Sequence, residues 1–358
     1  MISYILRKIT YGILVLWGVL TLVFFLFNVL PGDPARMMLD KREDSNQLTI
    51  IKKKYAFDRS LAEQYALYLN DVSPLSIHYN HATSFTALTN GKYQYIKCLS
   101  NSDYSLVFKM PYLRESFVRT GMPVAIILGT TFRNTFFLAS FSILIALFLG
   151  LALGVLSALY KDTLIDKLIL FISVLGMSLP SFFASIIIAW FFGFVLHKYT
   201  GLDMTGSLYE VDDYGRGSFL QIKNIILPAV TLGIRPLSVI IQLCRNSLLE
   251  VFSMDYVRTA TAKGLSKFRV IFKHSLRNAL NPVVTAVSGW FASMLAGAVF
   301  VEYIFAWNGI GKEIVDALNK MDLPVVMGSV LFIASIFVII NIIVDLIYGW
   351  LDPRIRLS

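Results

Sequence analysis

The sequence predicts an all-α, polytopic membrane protein with six transmembrane helices, both termini cytoplasmic, and an ordered extracytoplasmic loop between helices 1 and 2. Three observations carry that class. Of the 358 residues, 56% are apolar and 15% charged, against roughly 45–50% and about 25% in soluble proteins. The apolar residues gather into uncharged runs of about 20 or more, the length that crosses a hydrocarbon core of ~30 Å at ~1.5 Å per residue. Lysine and arginine are shared unequally between the two sets of short connections, and such an excess marks cytoplasmic loops. The net charge of +9 is therefore read as topology, and nucleic acid is the weaker reading.

Taken in order, the spans are expected at residues 9–30, 135–160, 168–196, 225–245, 282–301 and 325–350. The first forms an N-terminal anchor, 1–30, with Arg7 and Lys8 at its start and no small-residue cleavage pattern at its end; it is expected to stay uncleaved. The third contains Pro180 and is expected as one long, bent or tilted helix, because either half alone is too short to span. With the N-terminus inside, thirteen Lys and Arg fall on inner segments and five on short outer loops. A region as long as 31–131 is translocated largely regardless of its charges, so it is placed outside. Within it Ser60-Leu61-Ala62-Glu63 reads as a capping box opening a short helix with Leu61, Tyr65, Tyr68 and Leu69 on one face. Residues 76–108 show no clear periodicity and read as an irregular insertion. A transmembrane core, 132–350, with a cytoplasmic loop at about 246–281 and a tail, 351–358, completes the chain. Cys98 and Cys244 are expected on opposite sides of the membrane, which excludes a disulfide framework.

Catalytic chemistry has little support. Gly91-Lys92 and Gly309-Ile310-Gly311-Lys312 lack the first glycine and the Ser/Thr of a phosphate-binding loop. His78, His81, His197 and His274 form no metal-binding pattern, no nucleophile elbow is present, and no acid pair lies within a span. No catalytic residue, metal or bound cofactor is expected.

The informative segment runs from Ser253 to Gly264 on the inner side. Ser253 is expected to cap a helix, Asp255 to favour its positive end, and Gly264 to end it in a left-handed turn. Thr259, Ala260 and Ala262 permit close approach, and Arg258 and Lys263 supply directed polar contacts. This pattern fits an ordinary capped loop helix as well as a docking helix.

The segment resembles the EAA loop of ABC-importer permeases, in which an acidic-Ala-Ala stretch is followed after three residues by glycine; here Arg258-Thr259-Ala260 precedes Gly264 at that spacing. Asp255-Tyr256, Arg258-Thr259-Ala260 and Ala262-Lys263-Gly264 are similar to the form of the oligopeptide and dipeptide branch, which includes nickel-type importers. Leu30-Pro31-Gly32-Asp33-Pro34, Leu248-Leu249-Glu250-Val251, Arg277-Asn278-Ala279-Leu280, Phe305-Ala306-Trp307 and Asp352-Pro353-Arg354-Ile355-Arg356 extend the resemblance over nearly the whole chain. It implies the first of two permease subunits in the bacterial inner membrane, paired with a second homologous permease, two cytoplasmic ATPases that bind ATP and Mg, and an extracytoplasmic solute-binding protein. Asp255, Tyr256, Arg258, Thr259, Ala260, Ala262, Lys263 and Gly264 would then contact the ATPase. Asn308 departs from a frequent proline, and the outer loop is longer than usual.

Polar residues within spans are candidates for the translocation path of a peptide-like solute, because such groups face an interior or a cavity. They are Arg235, Ser178, Ser181, Thr231, Ser288 and Ser293. Arg235 could meet a solute carboxylate or a carbonyl freed by a proline kink; the alternative is an arginine paired within the bundle for structure. Asp345 is expected to be paired structurally, with water or a loop arginine. Nickel chelates as cargo, peptide export, or a channel or membrane enzyme are the rival readings.

Overall fold

The computed structural model describes residues 2–29, 49, 52–53, 55–81, 84–88, 92–211 and 217–351. The runs 30–34 and 352–356, which contribute to the resemblance above, lie outside them. The described residues form two compact units, one from Tyr11–Thr130 with Ile314–Phe332, the other from Thr131–Glu313 with the two chain ends.

The helices are α1 (Ile2–Val29), α2 (Leu61–Val72), α3 (Val124–Leu159), α4 (Leu164–Ser178), α5 (Ser181–Ile188), α6 (Ile226–Phe252), α7 (Asp255–Ala262), α8 (Asn281–Gly297), α9 (Val299–Ile304), α10 (Ile310–Asn319) and α11 (Leu323–Leu351), with shorter turns between them. Among the described residues four stretches are long and apolar enough to cross a membrane as single helices: Leu6–Asn28, Val124–Leu159, Ile222–Phe252 and Leu323–Asp345. They cover four of the six expected spans. At 282–301 the helix is interrupted at Ala298, between α8 and α9.

The expected single helix at 168–196 is corrected. Leu164–Ser178 and Ser181–Val195 meet at 109°, so the stretch is two pieces around a break. Proline disfavours helical backbone in the residue before it, and Leu179 is extended at φ −73°, ψ 127°. After α5 the second piece continues as a π-helix, Ala189–Val195.

Within the Thr131–Glu313 unit, α6 sits at the centre of a small-residue contact. A Cβ on Gly150 would stand 2.6 Å from Ile240, and one on Gly154 would stand 2.7 Å from Cys244. This Gly-x-x-x-Gly pair on α3 lets two backbones approach, the usual device for helix packing where burial from water supplies no drive. A Cβ on Gly176 of α4 would meet Ser238 at 2.7 Å, so α6 is approached closely from a second side. Asp345 is paired as expected, but its partner is Lys8 at 2.7 Å, not a loop arginine.

At the turn before α10 a buried carboxylate collects neutral donors. Glu302 accepts from Thr135 Oγ1 at 2.7 Å, from the Gly311 N–H at 2.6 Å and from the Lys312 N–H at 3.4 Å. The same threonine oxygen accepts the Ile310 N–H at 2.9 Å. An acid at a helix start is stabilised by the free N–H groups and the dipole. Trp307, fully buried, donates Nε1–H to the Asn134 carbonyl at 3.1 Å, and Asn134 Nδ2 donates to the Asn308 carbonyl at 2.8 Å.

The other unit carries the capping box as expected: Ser60 and Glu63 exchange bonds at the start of α2. Tyr65, Tyr68 and Leu69 pack with Leu20, Val23 and Phe24 of α1, while Leu61 is exposed. The expected irregular insertion is corrected. Three strands, β1 (Leu75–Tyr79), β2 (Tyr95–Ser100) and β3 (Tyr104–Lys109), form an antiparallel sheet in the order β1-β3-β2. A short hairpin of β4 (Tyr209–Val211) and β5 (Ser218–Leu220) lies in the Thr131–Glu313 unit. The chain is thus mostly helical with five strands among its described residues, not all-α. In β1 it is Ser76 and His78 that are buried and Leu75, Ile77 and Tyr79 that are exposed, so the alternation is inverted and gives no usual strand signal. His78 Nδ1 donates to the Thr86 carbonyl at 2.8 Å and Nε2 accepts from the Ser76 hydroxyl at 2.8 Å; burial first, and Lys109 second, push the ring below its ordinary 6.5.

Asp71 gathers several polar side chains of this unit. Its carboxylate accepts from Tyr93 Oη at 2.9 Å and Arg114 Nε at 3.0 Å, and its carbonyl accepts from Lys109 Nζ. Burial lowers the Lys109 ammonium to about 8, against the opposing pull of Asp71.

Two outcomes are expected. Between about pH 8 and about 10 the unfolded chain holds a proton that folded Lys109 has released, so stability rises with pH in that window. Above about 10 the rise turns over, because Tyr68, Tyr93 and Tyr112 are raised by burial and the unfolded tyrosines ionise first. Melting temperatures at pH 8 and 9.5 should climb by several degrees for the unaltered protein and stay flat for Lys109→Met. Separately, a Cβ on Gly309 would stand 2.3 Å from the Glu302 carboxylate, whereas one on Gly289 meets nothing within 4 Å. Gly309→Ala should cost about 1–3 kcal/mol in thermal unfolding, and Gly289→Ala should not destabilise.

Candidate functional site

Helix α7 follows α6 after two residues, Ser253 and Met254. Ser253 does not cap α7, and that expectation is corrected: it closes the end of α6, its hydroxyl donating to the Glu250 carbonyl at 2.6 Å. The residue before α7 is Met254, extended at φ −74°, ψ 145°, with no side-chain cap. Asp255 does stand in the first turn, where a negative charge is favoured. Gly264 has φ +76°, the left-handed turn for which glycine has no steric penalty.

Val257 and Ala260 are three residues apart and face inward, buried with Leu248, Val251, Val270 and Ala279. Ala260 therefore seats α7 on its own chain. Asp255, Tyr256, Arg258, Thr259, Ala262, Lys263 and Gly264 are exposed. Arg258 and Asp255 approach only to 3.9 Å with side chains 73% and 98% exposed, a contact worth little in water. Tyr256 is held, because Asn278 Nδ2 donates to its hydroxyl at 2.8 Å. Asn278 belongs to the Arg277-Asn278-Ala279-Leu280 run, whose pattern by itself points to no such contact.

The base on which α7 rests is fixed by an ion pair that sequence reasoning missed. Arg245 on α6 donates Nε to Asp166 Oδ1 at 2.8 Å and Nη2 to Oδ2 at 2.7 Å. Asp166, 2% exposed, also accepts from the Ser157 hydroxyl and from the Asp162 N–H. A two-pronged, buried pair of this kind fixes direction as well as distance. The detectable signal was an acid at the start of one apolar run and a base at the end of another.

Further along the same unit a cavity of about 110 Å³ is lined by Ser181, Thr231, Arg235, Trp290 and Ser293, with Gly176 and Leu179 at its wall. Four of the six predicted path residues are thus brought together. Ser178 and Ser288 are not among them; their hydroxyls donate back to Val174 and Val284 at 2.8 and 3.0 Å. Arg235 Nη2 donates to the Leu179 carbonyl at 3.4 Å. The carbonyl it meets belongs to the extended residue just before Pro180, at the break in the neighbouring stretch, and is not one freed by its own Pro236. The first bond of α5 runs from Ala184 to Pro180, which leaves the Leu179 carbonyl outside that ladder. Trp290 was not predicted, since a tryptophan in an apolar run carries no mark of direction.

Among the described residues no three His, Cys, Asp or Glu side chains gather as a metal site. The arrangement holds a presented helix, a rigid base and a small polar cavity joined by α6, which suits movement and binding more than bond chemistry.

Comparison with known proteins gives the family. Residues 150–357 match the family described as binding-protein-dependent transport system inner membrane component, and residues 1–85 match its N-terminal companion. A dipeptide transport system permease protein DppB of Alkalihalophilus pseudofirmus is 30% identical over 99% of this chain and 100% of that protein. A di/tripeptide transport system permease protein of Pseudomonas aeruginosa is 32% identical over 99% of both. The dipeptide permease of Bacillus subtilis is 33% identical over 94% of this chain and 92% of its own length.

Replacing Gly264 with alanine should cost about 1–2 kcal/mol for the left-handed backbone. It should be read as faster limited proteolysis between residues 253 and 266, with the remaining chain protected.

Proposed function

The chain belongs to the family of binding-protein-dependent transport system inner membrane components, multi-pass proteins of the bacterial inner membrane, and from that membership we propose that it is a permease subunit carrying peptides inward through an ABC importer. The relatives named above are dipeptide or di/tripeptide transport permeases, and the cargo is taken from them. The proposed assembly adds a second permease, two ATPases that hold ATP and Mg on the cytoplasmic side, and an extracytoplasmic solute-binding protein. In this reading six spans cross with both termini inside and residues 31–131 lie outside.

The observation that carries the reading is the continuity of α6. One helix of 27 residues bears Thr231 and Arg235 at the cavity and Arg245 at the base, and leads directly into α7. Arg235 and Phe252 are 17 residues apart, about 25 Å of helix. An ATPase gripping Tyr256, Arg258, Thr259, Ala262 and Lys263 would displace α7, and α6 would carry that displacement to the cavity as a rigid body. Because Ala260 and Val257 anchor α7 inwardly, the push is not absorbed in the loop.

Co-purification tests the reading. The tagged chain should bring cytoplasmic ATPases out of its native membrane, and Gly264→Arg should reduce their yield at least tenfold while the chain itself still inserts. If the unaltered chain brings no ATPase, the importer reading fails.

A further inference from the structure

Arg235 is the one charged residue of α6 between Ile226 and Cys244. Among the described residues no carboxylate pairs with it; its sole protein partner is the Leu179 carbonyl at 3.4 Å. Of the acids on the elements around the cavity, Asp166 is committed to Arg245 at 2.7 Å. Glu250 lies 15 residues further along α6, about 22 Å away. A guanidinium has five N–H donors, so most of this one's capacity is unused. Arg235 is itself exposed, and a charge within an apolar span is costly unless it faces water or meets an opposite charge.

The neighbouring hydroxyls show the same pattern. Thr231, Ser178, Ser238 and Ser288 donate to carbonyls of their own helices. Ser181 and Ser293, which line the cavity beside Arg235, have no such bond. The cavity of about 110 Å³ has room for a terminal group with adjoining water, since one water needs only about 10–15 Å³ of such space. Guanidinium is the side chain best matched to a planar, two-oxygen anion.

We propose that Arg235, with the hydroxyls of Ser181 and Ser293, forms a subsite for the carboxylate group of the transported solute. This rests on the permease reading and adds to it a chemical requirement: the cargo carries a free carboxylate that is read within the membrane and not only by the receptor. Arginine at this place is then a specificity-determining residue, and Leu179 supplies the resting contact that the carboxylate displaces or shares.

The test uses the complete assembly in nanodiscs without the solute-binding protein, so that the receptor cannot choose the ligand. A photoreactive dipeptide with a free C-terminus and its C-terminal amide are compared for labelling of this chain. The acid should label at least tenfold more efficiently than the amide. Arg235→Gln, which keeps a donor for Leu179, should bring the acid down to the level of the amide, and Arg235→Lys should retain part of the preference. Both variants should co-purify with the ATPases in the yield of the unaltered chain, which shows that the assembly is intact. Equal labelling by acid and amide in the unaltered protein, with vesicle uptake intact, overturns the subsite alone, as does an acid preference that survives in Arg235→Gln. Absence of uptake by the complete assembly overturns the permease reading and the subsite with it.

Discussion

A bilayer offers no hydrogen-bond partner to a bare backbone group, and that constraint orders the turns of this protein as well as its helices. Where the chain reverses or breaks, a side chain supplies what the helix cannot. Glu302 gathers the N–H groups of Gly311 and Lys312, Asp166 takes that of Asp162, and Arg235 answers the Leu179 carbonyl left over at Pro180. In the other unit Asp322 does the same for Phe117 and Val118, and accepts the Ser116 hydroxyl as well. Each of these groups is both a structural patch and a fixed point. Where such a backbone group is buried, moving its partner leaves it unsatisfied, at roughly 1–3 kcal/mol.

Helix α6 lies among these fixed points. It is gripped at one end by the Asp166 pair and approached closely by Gly150, Gly154 and Gly176. Its other half borders the cavity, and its end opens into α7. Close packing of this kind leaves little free volume around the helix. The connection from presented helix to cavity is therefore one element long, and Pro236 within α6 is the one place along it where the backbone ladder lacks a donor.

The sequence was legible where local physics decides alone. The capping box at Ser60, the left-handed turn at Gly264 and four of the spans needed only neighbours a few residues away. The branch motif around Asp255 to Gly264 pointed to the family now shown. Other features were hidden for identifiable reasons. The sheet at 75–109 turns serine and histidine inward and leucine and tyrosine outward, inverting the alternation by which strands are recognised. Ser253 is a good capping residue in two directions, and only the end of α6 decides which helix it serves. Pro180 announced a bend, but a 109° break depends on what stands ready to satisfy the freed carbonyl.

What the sequence by itself determined is therefore the membrane class, the apolar helices and the short presented helix, since hydropathy, capping and glycine backbone preference act over a turn or two. What only the tertiary structure decided is which polar groups meet: Arg245 with Asp166 across 79 positions, Glu302 with Thr135 across 167, Arg235 with Leu179 across 56. No local preference selects partners so far apart. They are chosen by packing, which brings each charge to the one place where a backbone group or opposite charge is waiting.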